Sequence, residues 1–289
     1  MKSLSIITLT RNRAPLLRKC LKSIVGQLGK SDELVIIDNN STDETHDVIK
    51  SYQSQLPIRY HKTPITGYPR LYNLAIQKST KDILVFLDDD CIASKNYIAA
   101  TRRAHHKYKN AVIQGLTYSL PRGNIYAEIM GDHYQNWLRV NTLTGNQMRT
   151  FDNKNASVAR AVLGVRGGFS DDLTHGSEDI DLGIRLRKKG IKIFLEPSII
   201  AYHHERSTFR GFWSQHLRIA KSEGILDQRL SNKDKIRMLH GRKTLLNATS
   251  AVRREINYLR AGRIKDFFLL PPLYLTLLFT RIWGYIKAK

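Results

Sequence analysis

A chain of 289 residues, 42% hydrophobic and 25% charged, has room for one large domain with an appendage or for two domains, and it excludes wholesale disorder and collagen-like or mucin-like classes. Its 47 Lys and Arg against 25 Asp and Glu give a formal net charge of +22, so it is expected to meet nucleic acid, an anionic membrane face or phosphorylated small molecules. Two cysteines, Cys20 and Cys91, cannot frame a disulfide scaffold, which points to a reducing cytoplasm.

The first half alternates strand and helix patterns. Leu4–Thr10 is a short apolar run that reads as a first strand rather than a leader, since it has neither a long apolar region nor a small-residue cleavage site. Leu17, Cys20, Leu21, Ile24, Val25 and Leu28 follow with helical spacing. Glu33–Asp38 is a buried strand, and Ser41-Thr42-Asp43-Glu44 has the pattern of a capping box opening a helix to Tyr52. A strand at Ile58–Tyr60, a helix over Arg70–Lys78 and the apolar strand Ile83–Leu87 come next, then a helix at Asn96–Lys107 and a strand at Val112–Thr117. Gly123–Thr150 is less periodic and reads as a flexible segment on the acceptor side. Glu178–Lys189 is a helix stopped by Gly190, and Ile191–Leu195 and Ile199–His203 are two short strands. This alternation predicts a parallel α/β sheet with helices on both faces, and ligands sit beyond the carboxyl ends of such strands.

The acidic residues bunch at three places, Asp38–Asp47, Asp88–Asp90 and Asp171–Asp181. Asp88-Asp89-Asp90 follows a fully apolar strand. Three adjacent carboxylates repel one another unless solvated or bridged by a cation, so the triplet is either an acidic loop or an oxygen-ligand site for Mg²⁺ or Mn²⁺. In Ser177-Glu178-Asp179-Ile180-Asp181, a Ser cap and first-turn acids serve the helix dipole, the reading favoured for Asp181. Glu178 or Asp179 can instead bring a general base to the cleft. His203-His204 ends a strand; the pair is structural, or one imidazole joins a cation, because neighbouring strand residues face opposite ways. Asp38 either accepts hydrogen bonds from a nucleoside or serves a turn, and Asp43 reads as structural.

Taken in order, these segments resemble family 2 glycosyltransferases. SIITLTRNRAPLLRKCLKSI is similar to their opening strand and helix, ELVIIDNNSTDET to the second strand and its Asp-bearing turn, and GYPRLYNLAIQKSTKDILVFLDDD to the run into their acidic DxD motif. NKNASVARAVLGVRGGFSDD, GSEDIDLGIRLRKKG and IKIFLEPSIIAYHHERS resemble the acceptor-side strand with its Gly-Gly-Phe, the Glu-Asp helix and the late histidine segment. The resemblance spans Ser3 to Ser207. It implies the GT-A fold, a Rossmann-like nucleotide-binding mixed sheet flanked by helices, over residues 1–206. A basic, partly apolar helical region, 207–289, would follow.

It also implies metal-dependent inverting transfer from a nucleotide-sugar, with a UDP-sugar the expected donor. Asp90 and Asp88 would be the DxD pair, with Asp90 on Mg²⁺ or Mn²⁺, Asp88 also at the ribose or sugar, and His203, or failing it His204, completing the metal site. Asp38 would stand by the base with Thr10 and Arg13 beneath it, and Asn40, Asn73 and Asp89 would add to the donor side. Asp179 would deprotonate the acceptor hydroxyl and Glu178 would orient it. Leu9 stands where Pro is usual, Arg11 where an aromatic residue is frequent, and Tyr72 where Arg often precedes Asn73; Arg70 is the replacement cation.

From Ser207 to Lys289 there are 17 basic and 5 acidic residues. Phe267, Phe268, Leu269, Leu270, Leu273, Leu275, Leu277, Leu278, Phe279, Ile282, Trp283 and Ile286 make a dense apolar end edged by Arg263, Lys265, Arg281, Lys287 and Lys289. No run reaches the ~18 apolar residues of a spanning helix, and Phe267–Thr280 is interrupted by Pro271-Pro272. Two readings stand: an amphipathic surface for an anionic cytoplasmic leaflet through 263–289, placing the protein on the inner face of the cell membrane, or helices packing on the catalytic domain or a second copy. The resemblance favours a glycan or lipid-linked acceptor in envelope polysaccharide or glycolipid synthesis. A metal-dependent nucleotidyltransferase and a basic nucleic-acid-binding protein are the competing classes. No zinc-finger or RNP pattern occurs, so nucleic acid is not the expected partner.

Overall fold

A computed structural model of the chain describes residues 2–164, 168–174, 176–230, 256 and 258–287. In chain order the elements are β1 (Leu4–Thr10), α1 (Ala14–Ile24), β2 (Glu33–Asp38), α2 (Thr45–Tyr52), β3 (Ile58–Lys62), α3 (Tyr68–Lys78), β4 (Ile83–Leu87), β5 (Cys91–Ala93), α4 (Tyr97–Lys107), β6 (Val112–Leu120), α5 (Ile125–Asn141), β7 (Asn155–Ala159), α6 (Arg160–Leu163), α7 (Glu178–Lys188), β8 (Ile193–His204), α8 (Phe209–Arg229) and α9 (Ile264–Lys287). They divide into two units. The first runs to Tyr118 and takes in Thr142–Thr174 and Glu178–His204; the second holds Ser119–Asn141, Gly176-Ser177 and the chain from Glu205.

The first unit is built on an eight-stranded sheet in the order β3-β2-β1-β4-β7-β6-β8-β5. β1 to β4 are parallel as the alternation predicts, but β7 runs against β4, so the sheet is not parallel throughout and is the mixed sheet that the resemblance implies. Every residue of β2 and β4 is buried, as strands covered on both faces require. The apolar stripe of α1, Leu17, Cys20, Leu21 and Ile24, joins Leu4, Ile6, Leu34, Ile36 and Val85 in one core. The edge at which β1 and β2 begin is pinned by buried acids. Glu33 accepts the Ser5 hydroxyl at 2.6 Å and the Thr80 amide at 2.6 Å, and Asp32 accepts the Leu4 amide at 3.0 Å and pairs with Arg102. These bonds fix the register of β1 on β2 at the edge away from the acidic triplet.

Several local expectations are corrected. α1 stops at Ile24, leaving Val25 exposed and Leu28 outside the helix. No capping box opens α2. Asp43, not Ser41, accepts the Thr45 amide at 3.1 Å, while the Ser41 hydroxyl accepts the Asn12 amide at 2.9 Å. The two strands expected over Ile191–His203 are one twelve-residue strand, β8, which carries Pro197 among exposed and half-buried residues. Gly123–Thr150 is not a flexible segment: Ile125–Asn141 is a 17-residue helix of the second unit. Its polar and glycine residues dilute the apolar period, and packing supplies what propensity lacks, since Ile125 and Ile129 lie in a core with Phe212, Tyr258, Leu270 and Leu273. α9 runs straight through Pro271 and Pro272. The side chains of Phe267, Leu277, Leu278, Arg281, Ile282 and Lys287, together with Lys289 and Gly167 of the Gly-Gly-Phe run, lie outside the described residues.

A side chain at position 115 on β6 has nowhere to go. A Cβ there comes within 2.7 Å of the Ile199 carbonyl on β8 and of Asn155 Oδ1 on β7, and Asn155 is fully buried and accepts the Tyr97 hydroxyl at 2.8 Å. Gly115→Ala is therefore expected to lower the unfolding free energy by about 1–3 kcal/mol, measured as a drop in urea midpoint at constant m-value. An unchanged midpoint counts against this close approach of strands.

Candidate active site

The parallel strands end together. Thr10 pairs with Asp38 in register, and Asp88 directly follows β4 on the other side of β1. Asp38 is wholly buried, with Oδ1 accepting the Ser41 amide at 2.8 Å and Oδ2 the Tyr60 hydroxyl at 2.8 Å. Burial, then that bond to Asp38, raises the Tyr60 phenol above its ordinary range. Thr10 is buried and gives its carbonyl to the Asn39 amide, while Asn40 is exposed with φ +56. Asn12, also left-handed, takes the Thr42 amide on its side-chain oxygen at 2.7 Å, tying the loop after β1 to the loop after β2.

That tie presents Arg13 to the acidic triplet. One nitrogen, Nη1, lies 2.8 Å from Asp89 Oδ1 and 2.8 Å from Asp90 Oδ2. Burial opposes the guanidinium's charge, but Asp89 and Asp90 together raise its pKa further. β5 begins immediately after the triplet and pairs antiparallel with β8, Cys91 opposite His203. His203 Nε2 thereby lies 3.1 Å from Asp90 Oδ1, whereas His204 contributes its backbone amide to the Asp90 carbonyl at 2.8 Å. Strand alternation selects one of the two imidazoles, and it selects His203.

Asp88, Asp90 and His203 each offer a ligand atom, all within 4.8 Å of one another. Two carboxylates and an imidazole suit a divalent cation. The electrostatics agree. Burial, then Asp90, pushes the Asp88 carboxyl up to about 7, with His203 pulling the other way. Burial raises Asp89 to about 6 against the pull of Arg13. Negative charge is costly here until more positive charge arrives, so the residues fit such an ion.

The antiparallel half supplies the other carboxylates. Leu87 pairs with Asn155, which brings the loop before β7 to the same edge, and the Asp88 amide reaches the Lys154 carbonyl at 3.4 Å. Asn153 in that loop clamps the start of α7. Its side-chain nitrogen donates to Glu178 Oε1 at 3.1 Å and its backbone amide to Asp179 Oδ2 at 3.2 Å. Glu178 is buried, and burial, then the charges of Glu178 and Asp152, hold the Asp179 carboxyl well above the usual range. The charge of Asp152 raises the Asp88 carboxyl as well as that of Asp179. Asp181 takes the Ser170 hydroxyl at 2.8 Å and Arg185 at 2.7 Å, a structural role. Ser177, read as a cap, has φ +64 and donates its hydroxyl to Ser222 at 3.0 Å.

Among the remaining site candidates, Arg70 is exposed on α3. The Asn73 amide binds the backbone of Phe169 through both its nitrogen, at 2.8 Å, and its oxygen, at 2.9 Å, fixing the loop before α7. Residues that sequence reasoning passed over include Tyr72, whose hydroxyl donates to Asp88 at 3.0 Å, and Asn153. Tyr72 had a signal, its place where Arg often precedes Asn73; Asn153 had none, because its role depends on strand register.

Residues 5–165 match the family described as Glycosyl transferase family 2. Validoxylamine A glucosyltransferase of Streptomyces hygroscopicus subsp. jinggangensis (strain 5008) is 29% identical over 239 residues, covering 71% of this chain and 56% of that protein. The chain spans about half to two thirds of the length of the curated relatives it matches. Among solved structures, the mannosyltransferase PcManGT of Pyrobaculum calidifontis in complex with GDP-Man and Mn²⁺ superposes with a TM-score of 0.62 at 19% identity, over 99% of this chain and 84% of that one. S. aureus TarS 1-349 in complex with UDP-GlcNAc gives 0.55 at 13% identity, over 95% of this chain and 91% of that one. The chain belongs to glycosyl transferase family 2, and its fold is that of the GT-A glycosyltransferases.

The raised Asp88 pKa has a sign that can be measured. An unfolded Asp loses its proton near ~3.9, whereas the folded Asp88 holds it to about 7. Through that interval the folded state binds the proton more tightly, so stability falls as pH rises. Asp88→Asn removes this loss and keeps an acceptor for Tyr72. In EDTA at pH 8 the variant is expected to melt above wild type, the gap closing toward pH 4, while added Mn²⁺ stabilises only the wild type. A variant melting below wild type at pH 8 in EDTA contradicts the electrostatic account.

Proposed function

We propose that the protein transfers a sugar from a UDP-sugar to an acceptor hydroxyl with inversion at the anomeric carbon, assisted by Mg²⁺ or Mn²⁺. The observation that carries this reading is the convergence, at one edge of the sheet, of the Asp88, Asp90 and His203 donor set with the clamped pair Glu178 and Asp179. Asp90, Asp88 and His203 would hold the cation, which when bound offsets charge developing on the departing diphosphate. Thr10, Arg13, Asp38, Asn40 and Asp89 form the nucleotide side, and Arg70 and Asn73 contribute from α3. Asp179 takes the acceptor proton, a raised pKa making it the stronger base once ionised, and Glu178 orients the acceptor. The acceptor oxygen, as Asp179 takes its proton, bonds to the anomeric carbon on the side opposite the departing diphosphate, and this single displacement gives inversion. The relative named a glucosyltransferase supports a hexose as the transferred group.

The first test is a thermal-shift panel of UDP- and GDP-sugars, each with Mn²⁺, Mg²⁺ or EDTA; a ligand at 100 times its Kd adds about 2.7 kcal/mol. A cation-dependent shift with UDP-sugars is expected, and a shift confined to GDP-sugars reassigns the donor. Asp179→Asn should lose at least about nine tenths of turnover while binding the donor as wild type does, and Glu178→Gln should move the rising limb of the pH–rate profile to lower pH, since Glu178 raises Asp179. Retention of most turnover by Asp179→Asn sinks the base assignment.

We further propose that the enzyme works on a glycan or lipid-linked acceptor of the cell envelope, at the cytoplasmic membrane face, with α9 lying on an anionic leaflet. Ile264, Phe268, Leu275, Phe279, Trp283 and Ile286 recur at helical spacing and are exposed, while Leu270 and Leu273 on the other side are buried. Among the described residues no helix is long and apolar enough to cross a membrane. The excess of basic residues after Ser207 complements anionic lipid. The triple change Phe268→Ser, Phe279→Ser and Trp283→Ser is expected to abolish flotation with anionic liposomes and leave solution turnover on a soluble acceptor unchanged. Equal flotation of variant and wild type overturns the membrane reading.

A further inference from the structure

The carboxylate of Asp90 is shared between Arg13 and the donor set. Oδ2 accepts Arg13 Nη1 at 2.8 Å, and Oδ1 faces His203 Nε2 at 3.1 Å. Yet Asp90 is a member of the donor set that fits a divalent cation. An ion held there competes with contacts already made. Of the two, the arginine contact is the releasable one. Its side chain is 24% exposed whereas those of Asp89 and Asp90 are 3% and 8%, and it bridges them through one nitrogen rather than as a two-pronged fork. Asp89 keeps the guanidinium in place when Asp90 lets go. The backbone beneath does not have to move, because Asn12 fastens it to Ser41 and Thr42.

We infer that Arg13 is an internal counter-cation that competes with a bare divalent ion for Asp90, and that it releases Asp90 when the ion arrives with a diphosphate whose oxygens take up the guanidinium. The inference rests on reading the site as one for a nucleoside-diphosphate donor. Its physical basis is charge. A bare dication brought beside Arg13 sets like charges together, whereas the diphosphate brings the negative charge that satisfies both. Ion and nucleotide therefore load jointly, and by linkage each tightens the other by the same factor.

The test is a Mn²⁺ titration followed by the electron paramagnetic resonance of the free ion, on wild type, Arg13→Gln and Arg13→Lys, first without nucleotide and then with UDP or GDP. Arg13→Gln is expected to bind bare Mn²⁺ about tenfold more tightly, the scale of one charge-assisted hydrogen bond relinquished, with Arg13→Lys between it and wild type. UDP should tighten Mn²⁺ several-fold more in wild type than in Arg13→Gln. If Arg13→Gln fails to fold, Arg13→Lys decides by the same criterion. Bare-ion affinity in both arginine variants equal to or weaker than wild type overturns the inference and leaves the metal site standing. Asp90→Asn and His203→Ala are titrated alongside; if they bind Mn²⁺ as wild type does, the site assignment falls and the inference with it.

Discussion

Three consecutive carboxylates at the end of a fully buried strand are the constraint around which the first unit is arranged. Charge of one sign at that density is tolerable only where the surroundings donate protons or carry positive charge. The groups in contact do so: Arg13 from the loop after β1, the Tyr72 hydroxyl from α3 and His203 from β8. Each comes from a different part of the chain, so the triplet can be assembled only in the finished fold. Burial, and after it the repulsion that remains among the carboxylates, raises the Asp88 and Asp89 pKa values, a cost in stability at neutral pH that a folding unit with no ligand to bind would have no reason to carry.

The change of strand direction between β4 and β7 divides the chemistry. The parallel strands β1, β2 and β4 bring Thr10, Asp38 and Asp88 to one edge by their carboxyl ends. The antiparallel β7 reaches the same edge by its amino end, which is why the loop holding Asn153 meets Asp88 and can clamp Glu178 and Asp179. A sheet parallel throughout would put the loop before β7 at the opposite edge. The proposed donor side and acceptor side thus correspond to the two halves of a mixed sheet, and the mixture is what lets them share one cleft.

Much of this was legible in the sequence because the signals were local. Short, largely apolar runs gave β1, β2 and β4 with their ends, and the acidic triplet announced itself by following the wholly apolar β4. The His203-His204 pair could be narrowed to one candidate by alternation alone, and the pairing of β8 with β5 brings the His203 ring beside Asp90. Features set by distant partners were not legible. β5 is three residues long and exists because β8 pairs with it. α5 has a diluted apolar period and is held by packing within the second unit. Asn153 carries no motif, since its function comes from the register of β7 on β4. The capping box failed for a related reason: Ser41 and Asp43 had the right composition for a cap, but Ser41 is used by Asn12 and Asp43 reaches the Ala14 amide at 3.1 Å as well as Thr45.

The triplet is also the whole of the connection between β4 and β5. Its three residues span from Leu87, paired with Asn155, to Cys91, paired with His203. Inserting or deleting one residue there would slide β5 by one position against β8, or force a bulge, and turn the alternate side chains of β5 over, exchanging buried Cys91 and Ala93 with Ile92. The length of this turn therefore sets the pairing of β5 with β8, while its middle residue, Asp89, supplies a bond to Arg13.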